Sequence, residues 1–204
     1  MHPSPGFQMS RDEAIASASR SGIGHLTTTV KGRIESVVVP FFIDTEDGSP
    51  TVYGHVSASN CQASSIEEGV EALLIVDGPI AYVSPELYPT KVETGKVVPT
   101  LNYLSVQIRG RLVPVTDSNH FRNLLASLTF RFEAGRDKPW SINDAPSDFI
   151  ESLMRGIRGF SMQIDEIQGV AKHSQNRSES DRSSVRLSFA KGTDEERRIA
   201  ALMV

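Results

Sequence analysis

The pair Lys31-Gly32, set between two β-rich stretches, constrains the fold of this chain more than any other feature. Gly22 to Val30 contains the β-branched run Thr27-Thr28-Thr29, and Arg33 to Ile43 carries Val37, Val38, Val39, Phe41 and Phe42. A two-residue connector containing glycine between such runs predicts a β-hairpin. The continuous apolar run of the second stretch predicts a strand covered on both faces. Pro40 has no amide donor, which puts that point at a bulge or a sheet edge.

Further β signals follow. Asp44 to Pro50 has the composition of a turn, and Thr51 to Ser57 reads as a third strand. Asn60 to Gly69 reads as a short helix closed by its glycine. Val70 to Val76 and Pro79 to Ser84 flank Asp77-Gly78, which predicts another hairpin. Pro85 to Pro99 is a long excursion, a length that in compact domains points to function or disorder. Leu101 to Val115 then returns as a strand. The second half turns helical: Phe121, Leu124, Leu125, Leu128 and Phe132 fall on one helical stripe. Pro146 to Ile157 reads as a helix, and Phe160, Met162 and Ile164 alternate as a strand. Ser178 opens another helix, and Thr193 with Glu196 forms a capping box for a last one. Antiparallel strands followed by helices predict an α+β fold, a small barrel with peripheral helices.

With 204 residues the chain suits a single domain, 1–204, with C-terminal helices from about 178. An apolar share of 39% supports a real core and excludes a disordered chain. The net charge of −4 offers no general attraction to nucleic acid, so direct DNA binding is not expected. Cys61 is the one cysteine, which excludes an internal disulfide and a multi-cysteine metal site. No apolar run approaches the roughly 18–20 residues needed to cross a bilayer. Met1 to Phe7 lacks the charged-then-apolar order of a signal peptide. A cytoplasmic protein is the expectation.

Neither a P-loop nor a dinucleotide glycine fingerprint is present; Gly22-Ile23-Gly24 lacks the third glycine and opens a strand. The five histidines, His2, His25, His55, His120 and His173, are scattered. His25 and His55 would sit on neighbouring strands in a metal-holding arrangement, but a packed or surface role suits each better, and no metal site is expected. Four polar patches remain. His55-Val56-Ser57 with Asn60 and Gln62 lies at a strand-to-helix junction, where neutral donors suit either a helix cap or an anion. Tyr82 ends a strand. Asn102 and Tyr103 begin one, offering an amide edge and a flat ring. Lys172-His173-Ser174-Gln175-Asn176-Arg177-Ser178 is the densest polar stretch, and it suits both a ligand edge and a helix entry. No activated nucleophile stands beside a base, so no catalytic residue is assigned. The set reads as binding apparatus for a cofactor that brings its own chemistry.

These patches, in this order, resemble the PaiB-type family of FMN-binding negative transcriptional regulators. The matching text is Tyr53-Gly54-His55-Val56 through Asn60-x-Gln62, then Ala81-Tyr82-Val83-Ser84-Pro85 with Tyr88-Pro89 and Lys91. It continues through Lys96-Val97-Val98-Pro99-Thr100-x-Asn102-Tyr103, Gly110-Arg111-Leu112, Phe132-Glu133-Ala134-Gly135-Arg136 and Pro139-Trp140. Lys172-x-Ser174-Gln175-Asn176-Arg177-Ser178 with Asp181-Arg182 closes it, so the likeness runs from about Gly22 to the C-terminus.

The resemblance implies a split β-barrel like that of pyridoxamine-phosphate-oxidase-like flavoproteins, forming a homodimer with FMN in a groove between subunits. It maps the flavin site to Val38, Val39, Pro40, Phe41, His55, Ser57, Asn60 and Gln62. More loosely, it adds Tyr82, Asn102, Tyr103, Lys172, Ser174, Gln175, Asn176 and Arg177. Two departures stand out. Val37 and Val38 occupy positions where the family often carries Asn or Thr and His. The junction shows Ser59, Cys61 and Ala63 in place of Arg, Pro and Trp. Losing a charged hydrogen bond to a phosphate costs roughly 1.5–3 kcal/mol. The function implied is regulation through a flavin or related ligand, with a protein partner in place of direct DNA reading. An FMN-dependent oxidoreductase, or a barrel dimer whose site no longer holds flavin, are the alternatives.

Overall fold

The computed structural model describes residues 4–46 and 48–203; His2, the start of the Met1–Phe7 segment and Asp47 of the expected turn lie outside the described residues. The elements in chain order are α1 (Arg11–Ser21), β1 (Ile23–Val30), β2 (Arg33–Asp44), β3 (Thr51–Ser57), α2 (Ala63–Glu68), β4 (Glu71–Val83), α3 (Thr90–Thr94), β5 (Thr100–Pro114), α4 (Ser118–Glu133), α5 (Ser147–Met154), β6 (Ile157–Gln163), β7 (Glu166–Lys172), α6 (Glu179–Phe189) and α7 (Asp194–Leu202). The strands are hydrogen-bonded in the order β4-β1-β2-β3-β6-β5-β7, and β4 also pairs with β5. Six strands therefore close on themselves and β7 extends from β5. The fold is an α+β split barrel.

The first hairpin forms as its turn chemistry dictates. Val30 pairs with Arg33, and Lys31 and Gly32 both adopt positive φ, 48° and 78°. That conformation matches the right-handed twist of the two strands. β2 then changes neighbour: Arg33 to Pro40 ladder with β1, whereas Phe41 to Asp44 ladder with β3. Pro40 stands at the changeover, where a missing amide donor is tolerated. Coverage on both faces does not hold along this strand. Val39 and Phe41 are fully buried, but Ile34 is 80% exposed and Val38 57% exposed on the alternate face.

The hairpin expected at Asp77-Gly78 does not form; β4 runs straight through both residues. Gly78 does not have a positive φ, so the turn conformation is not adopted. Its role is close approach instead. A Cβ there would lie 2.9 Å from Leu104 Cδ2, and Asp77 Oδ1 accepts a 2.8 Å hydrogen bond from Ser105 Oγ. Cross-strand packing has overridden a local turn signal.

The chain groups into two compact units, each discontinuous in sequence. One comprises residues 15–76 and 107–167. Leu26, Val39, Phe41, Val52, Ile66, Leu74, Ile108, Leu112, Phe160 and Met162 fill its interior with almost no exposure. On its flank, Phe121, Leu124 and Leu128 of α4 pack with Phe42 and Tyr53. Phe42 and Tyr53 stack at 5.2 Å. The helical stripe read from the sequence thus has a definite partner.

The other unit comprises residues 1–14, 77–106 and 168–204, of which 4–14, 77–106 and 168–203 are described. Ala81, Val83, Tyr88, Val185, Phe189, Ile199 and Met203 form its core. Both C-terminal helices start at the predicted caps. Ser178 Oγ accepts from the Asp181 amide, and Thr193 and Glu196 make the reciprocal capping box. The expected 85–99 excursion holds a 3-10 turn at Pro85–Leu87 and the short α3. Strand β7 was not anticipated; within this unit its Gly169 carbonyl accepts from the Met9 amide at 3.0 Å.

Candidate functional site

In the unit of residues 15–76 and 107–167, the predicted residues occupy three settings. Val38 and the half-buried Pro40 lie on the outer face of β2, whereas the side chains of Val39 and Phe41 point into the core. In register beside them on β1, Ile23 pairs with Pro40 and His25 with Val38. Ile23 is 48% exposed, so the Ile23–Val38–Pro40 end of this outer face is open and apolar, whereas farther along Thr27 and Ser36 share a 3.1 Å hydroxyl hydrogen bond. His25 and His55 are not on neighbouring strands, because β2 lies between β1 and β3.

His55 is half-buried on β3, paired with Gly159 of β6, and its Nδ1 is buried without a hydrogen-bond partner. Burial holds its imidazole below the usual histidine value. Ser57 is exposed and shares a 2.9 Å hydrogen bond with Ser59 Oγ. Asn60 Oδ1 accepts the Gln62 amide at 2.9 Å, which fixes the turn into α2 and leaves Nδ2 as a donor. Gln62 behaves differently from its neighbours. It is fully buried, and its side-chain amide donates to Leu26 O at 2.9 Å and Glu35 O at 2.8 Å. The carboxamide ties β1 and β2 to the junction and presents no surface to solvent.

A groove of about 790 Å³ opens beside this junction. Val30, Lys31 and Arg33 of the first hairpin line it, with Glu35, Ala58, Asn60, Cys61, Ser64 and Glu67 among the rest. Glu67 Oε1 is engaged by Arg158 Nε at 3.1 Å. The side chains of Lys31 and Arg33 make no hydrogen bond or ion pair with any described residue. Sequence reading treated Lys31 only as a turn residue and missed both cations. Two basic residues on either side of a turn glycine were the available signal.

In the other unit the polar strings are largely turned inward. Asn102 Nδ2 donates to Ser174 Oγ at 2.9 Å, and both residues are buried. Lys172 Nζ donates to Thr100 Oγ1 and lies 5.7 Å from the Phe7 ring centroid. Gln175 accepts the His173 amide through Oε1 at 2.6 Å and donates to Gly6 O at 3.2 Å. Arg177 stacks over Tyr88 at 4.6 Å. Asn176 is exposed, Tyr82 is 58% exposed and Tyr103 half-buried. Most of the stretch from 172 to 178 therefore organises its own unit, and Ser178 is the helix cap. Among the described residues, no group of three or more His, Cys, Asp or Glu side chains is placed to hold a metal.

Comparison with known proteins bears on what this architecture carries. Residues 1–166 match the family model described as "Putative FMN-binding domain". The chain belongs to the PaiB-type FMN-binding family. FMN is therefore its cofactor. A family relative in Emericella nidulans, an uncharacterized protein, is 33% identical across 89% of this chain and 87% of its own length. Another, the protease synthase and sporulation protein PAI 2 of Bacillus subtilis, is 27% identical across 86% of this chain and 82% of its own. Solved structures share the fold. The flavocytochrome Anf3 of Azotobacter vinelandii superposes with a TM-score of 0.61 at 15% identity, covering 89% of this chain and 78% of that one. The FAD and heme binding protein of Mycobacterium smegmatis gives 0.60 at 15% identity, covering 91% and 80%. Among the described residues no helix is long and apolar enough to cross a membrane.

Proposed function

We propose that this PaiB-type protein is a homodimeric FMN-binding regulator, with the flavin ring lying along the outer face of β2 where two copies meet. The observation that carries the reading is the set of exposed apolar side chains on the outer face of the first hairpin, Ile23, Ile34 and Val38, all more than 45% exposed and set around a Thr27–Ser36 hydroxyl pair. A flat heterocycle and a second subunit are the two partners that such a face suits. The donor set fits FMN as well. Val38 and Pro40 offer apolar contact for the ring, and the hydroxyl of Ser57 and the free Nδ2 of Asn60 offer hydrogen bonds. When bound, FMN would supply hydride or one-electron chemistry that these side chains lack.

Regulation is the reading for this chain because of its likeness to PAI 2, which is named a protease synthase and sporulation protein. The net charge of −4 favours action through a protein partner over direct DNA reading. The test is FMN titration followed by fluorescence quenching, with molar mass measured in the same sample. Saturable quenching with a mass twice that of the chain is expected. A monomer, or the absence of saturable quenching, overturns the proposal.

A further inference from the structure

A second groove, of about 680 Å³, opens in the unit of residues 15–76 and 107–167, between the start of α4 and one face of α5. That size is typical of a small-molecule site. It shares no lining residue with the groove beside the first hairpin, and none with the residues mapped to the flavin. Asn119 and Arg122 reach it from α4, and Glu151 and Arg155 from α5, at spacings that put each pair on one helical face. Three charges here are uncommitted. Arg122 Nη2 donates at 3.2 Å to Asn143 Oδ1, a neutral acceptor. Arg155 Nη1 donates at 3.4 Å to the Glu151 backbone carbonyl. Neither guanidinium meets a carboxylate among the described residues. Glu151 precedes Arg155 by four residues, the order and spacing that favour an ion pair on a helix, yet its carboxylate makes none with a described residue. The acids that start the neighbouring helical turns are occupied: Asp117 Oδ1 accepts the His120 amide and Asp144 Oδ2 the Ser141 amide, both at 2.7 Å.

We infer that this groove binds an acidic amino acid, a small ligand with two carboxylates and one ammonium. Each guanidinium takes a carboxylate through charge-assisted, fork-shaped hydrogen bonds, and the Glu151 carboxylate takes the ammonium. The Asn119 carboxamide adds a neutral donor and acceptor, and Phe121 and Met154 in the same groove suit the ligand's methylenes. Two guanidiniums and one carboxylate give the groove a net +1, which the ligand's net −1 offsets. A plain dicarboxylate would leave Glu151 facing a like charge, and a neutral amino acid would leave one guanidinium unpaired. The inference goes beyond the flavin reading and gives the chain a metabolite site of its own.

Isothermal titration calorimetry of the full-length protein at low ionic strength tests it. The probes are glutamate with glutamine and glutarate, and aspartate with asparagine and succinate. Glutamate or aspartate is expected to bind saturably, one per chain. Its amide, which lacks one carboxylate, and its dicarboxylate, which lacks the ammonium, should each bind about tenfold or more weaker. Arg122→Gln and Arg155→Gln should each weaken the acidic amino acid by a similar factor. Glu151→Gln should narrow the gap between amino acid and dicarboxylate, since the ammonium loses its partner while the dicarboxylate loses a like charge. A variant that is merely loosened would weaken both ligands together. No saturable binding of either amino acid, binding of the dicarboxylate as tight as that of the amino acid, or undiminished binding by both arginine variants overturns the inference. Such a failure leaves the flavin reading untouched, because none of these residues is assigned to it.

Discussion

Asn102 and Ser174 lie 72 residues apart in the chain and exchange hydrogen bonds inside one unit. The Asn102 Nδ2 donates to Ser174 Oγ at 2.9 Å, and that hydroxyl donates to Asn102 Oδ1 at 3.2 Å. Ser174 has φ 62°, an uncommon conformation for a residue with a side chain, and the pair holds it there. Both residues belong to the strings that carry the family resemblance, and here they form a structural joint. Removing either partner leaves a buried polar group unsatisfied, at a cost of about 1–3 kcal/mol. Asn102→Ala and Ser174→Ala are each expected to lower the urea midpoint, and the double variant should lose clearly less than the sum. Strict additivity in that cycle would contradict the pairing.

Gln62 is expected to act through the sheet. Its amide bridges Leu26 O and Glu35 O in the interior, and Gln62→Leu would strand both carbonyls. A destabilisation of about 2–4 kcal/mol follows from two lost buried hydrogen bonds, offset in part by the apolar replacement. Chemical denaturation measures it. The contrasting variant is Asn60→Ala, whose side chain is only half-buried; it should cost less stability and weaken FMN more.

The Asp181 carboxylate accepts from the Thr90 amide at 3.1 Å and from Thr90 Oγ1 at 2.9 Å, and it is 2% exposed. It pins the start of α3 to α6 within their unit. Asp181→Asn is expected to loosen the 85–99 segment locally, since a neutral amide replaces a charged acceptor of two bonds. Limited trypsin digestion should then cut after Lys91 and Lys96 several times faster, with global stability changed far less. An unchanged digestion rate would show that the segment is anchored elsewhere.

Much of the fold was legible because local and tertiary signals agree. Lys31-Gly32, the β3 range, Gly69 as a helix end and the Thr193–Glu196 box all use chemistry confined to a few residues. Asp77-Gly78 failed for the opposite reason: Leu104 and Ser105 on another strand decide its conformation, and nothing local records them. Helix α1 escaped notice because its buried face is Ala14, Ser17 and Ala18, small side chains that carry almost no apolar periodicity. Residues around the candidate site were harder still. Polarity marked Gln62, Ser174 and Gln175, but whether a polar side chain faces a ligand or a backbone carbonyl depends on contacts tens of residues away.

The pH dependence of stability should trace to two histidines. Burial holds the imidazoles of both His55 and His173 below the usual 6.5, and each has one buried ring nitrogen without a partner, Nδ1 and Nε2 respectively. An added proton would find no acceptor at those atoms, so the neutral ring is the form compatible with the fold. Between the depressed folded value and 6.5, the unfolded chain binds more protons than the native one, and stability rises with pH through that window. The contribution is therefore fully present above about 6.5 and is lost as the pH falls toward the folded values. Urea midpoints measured at pH 7.5 and pH 5.5 should differ in the parent, and the difference should shrink in His55→Gln and in His173→Gln, most in the double variant. A double variant with the parent's full pH dependence would assign it to the carboxylates instead.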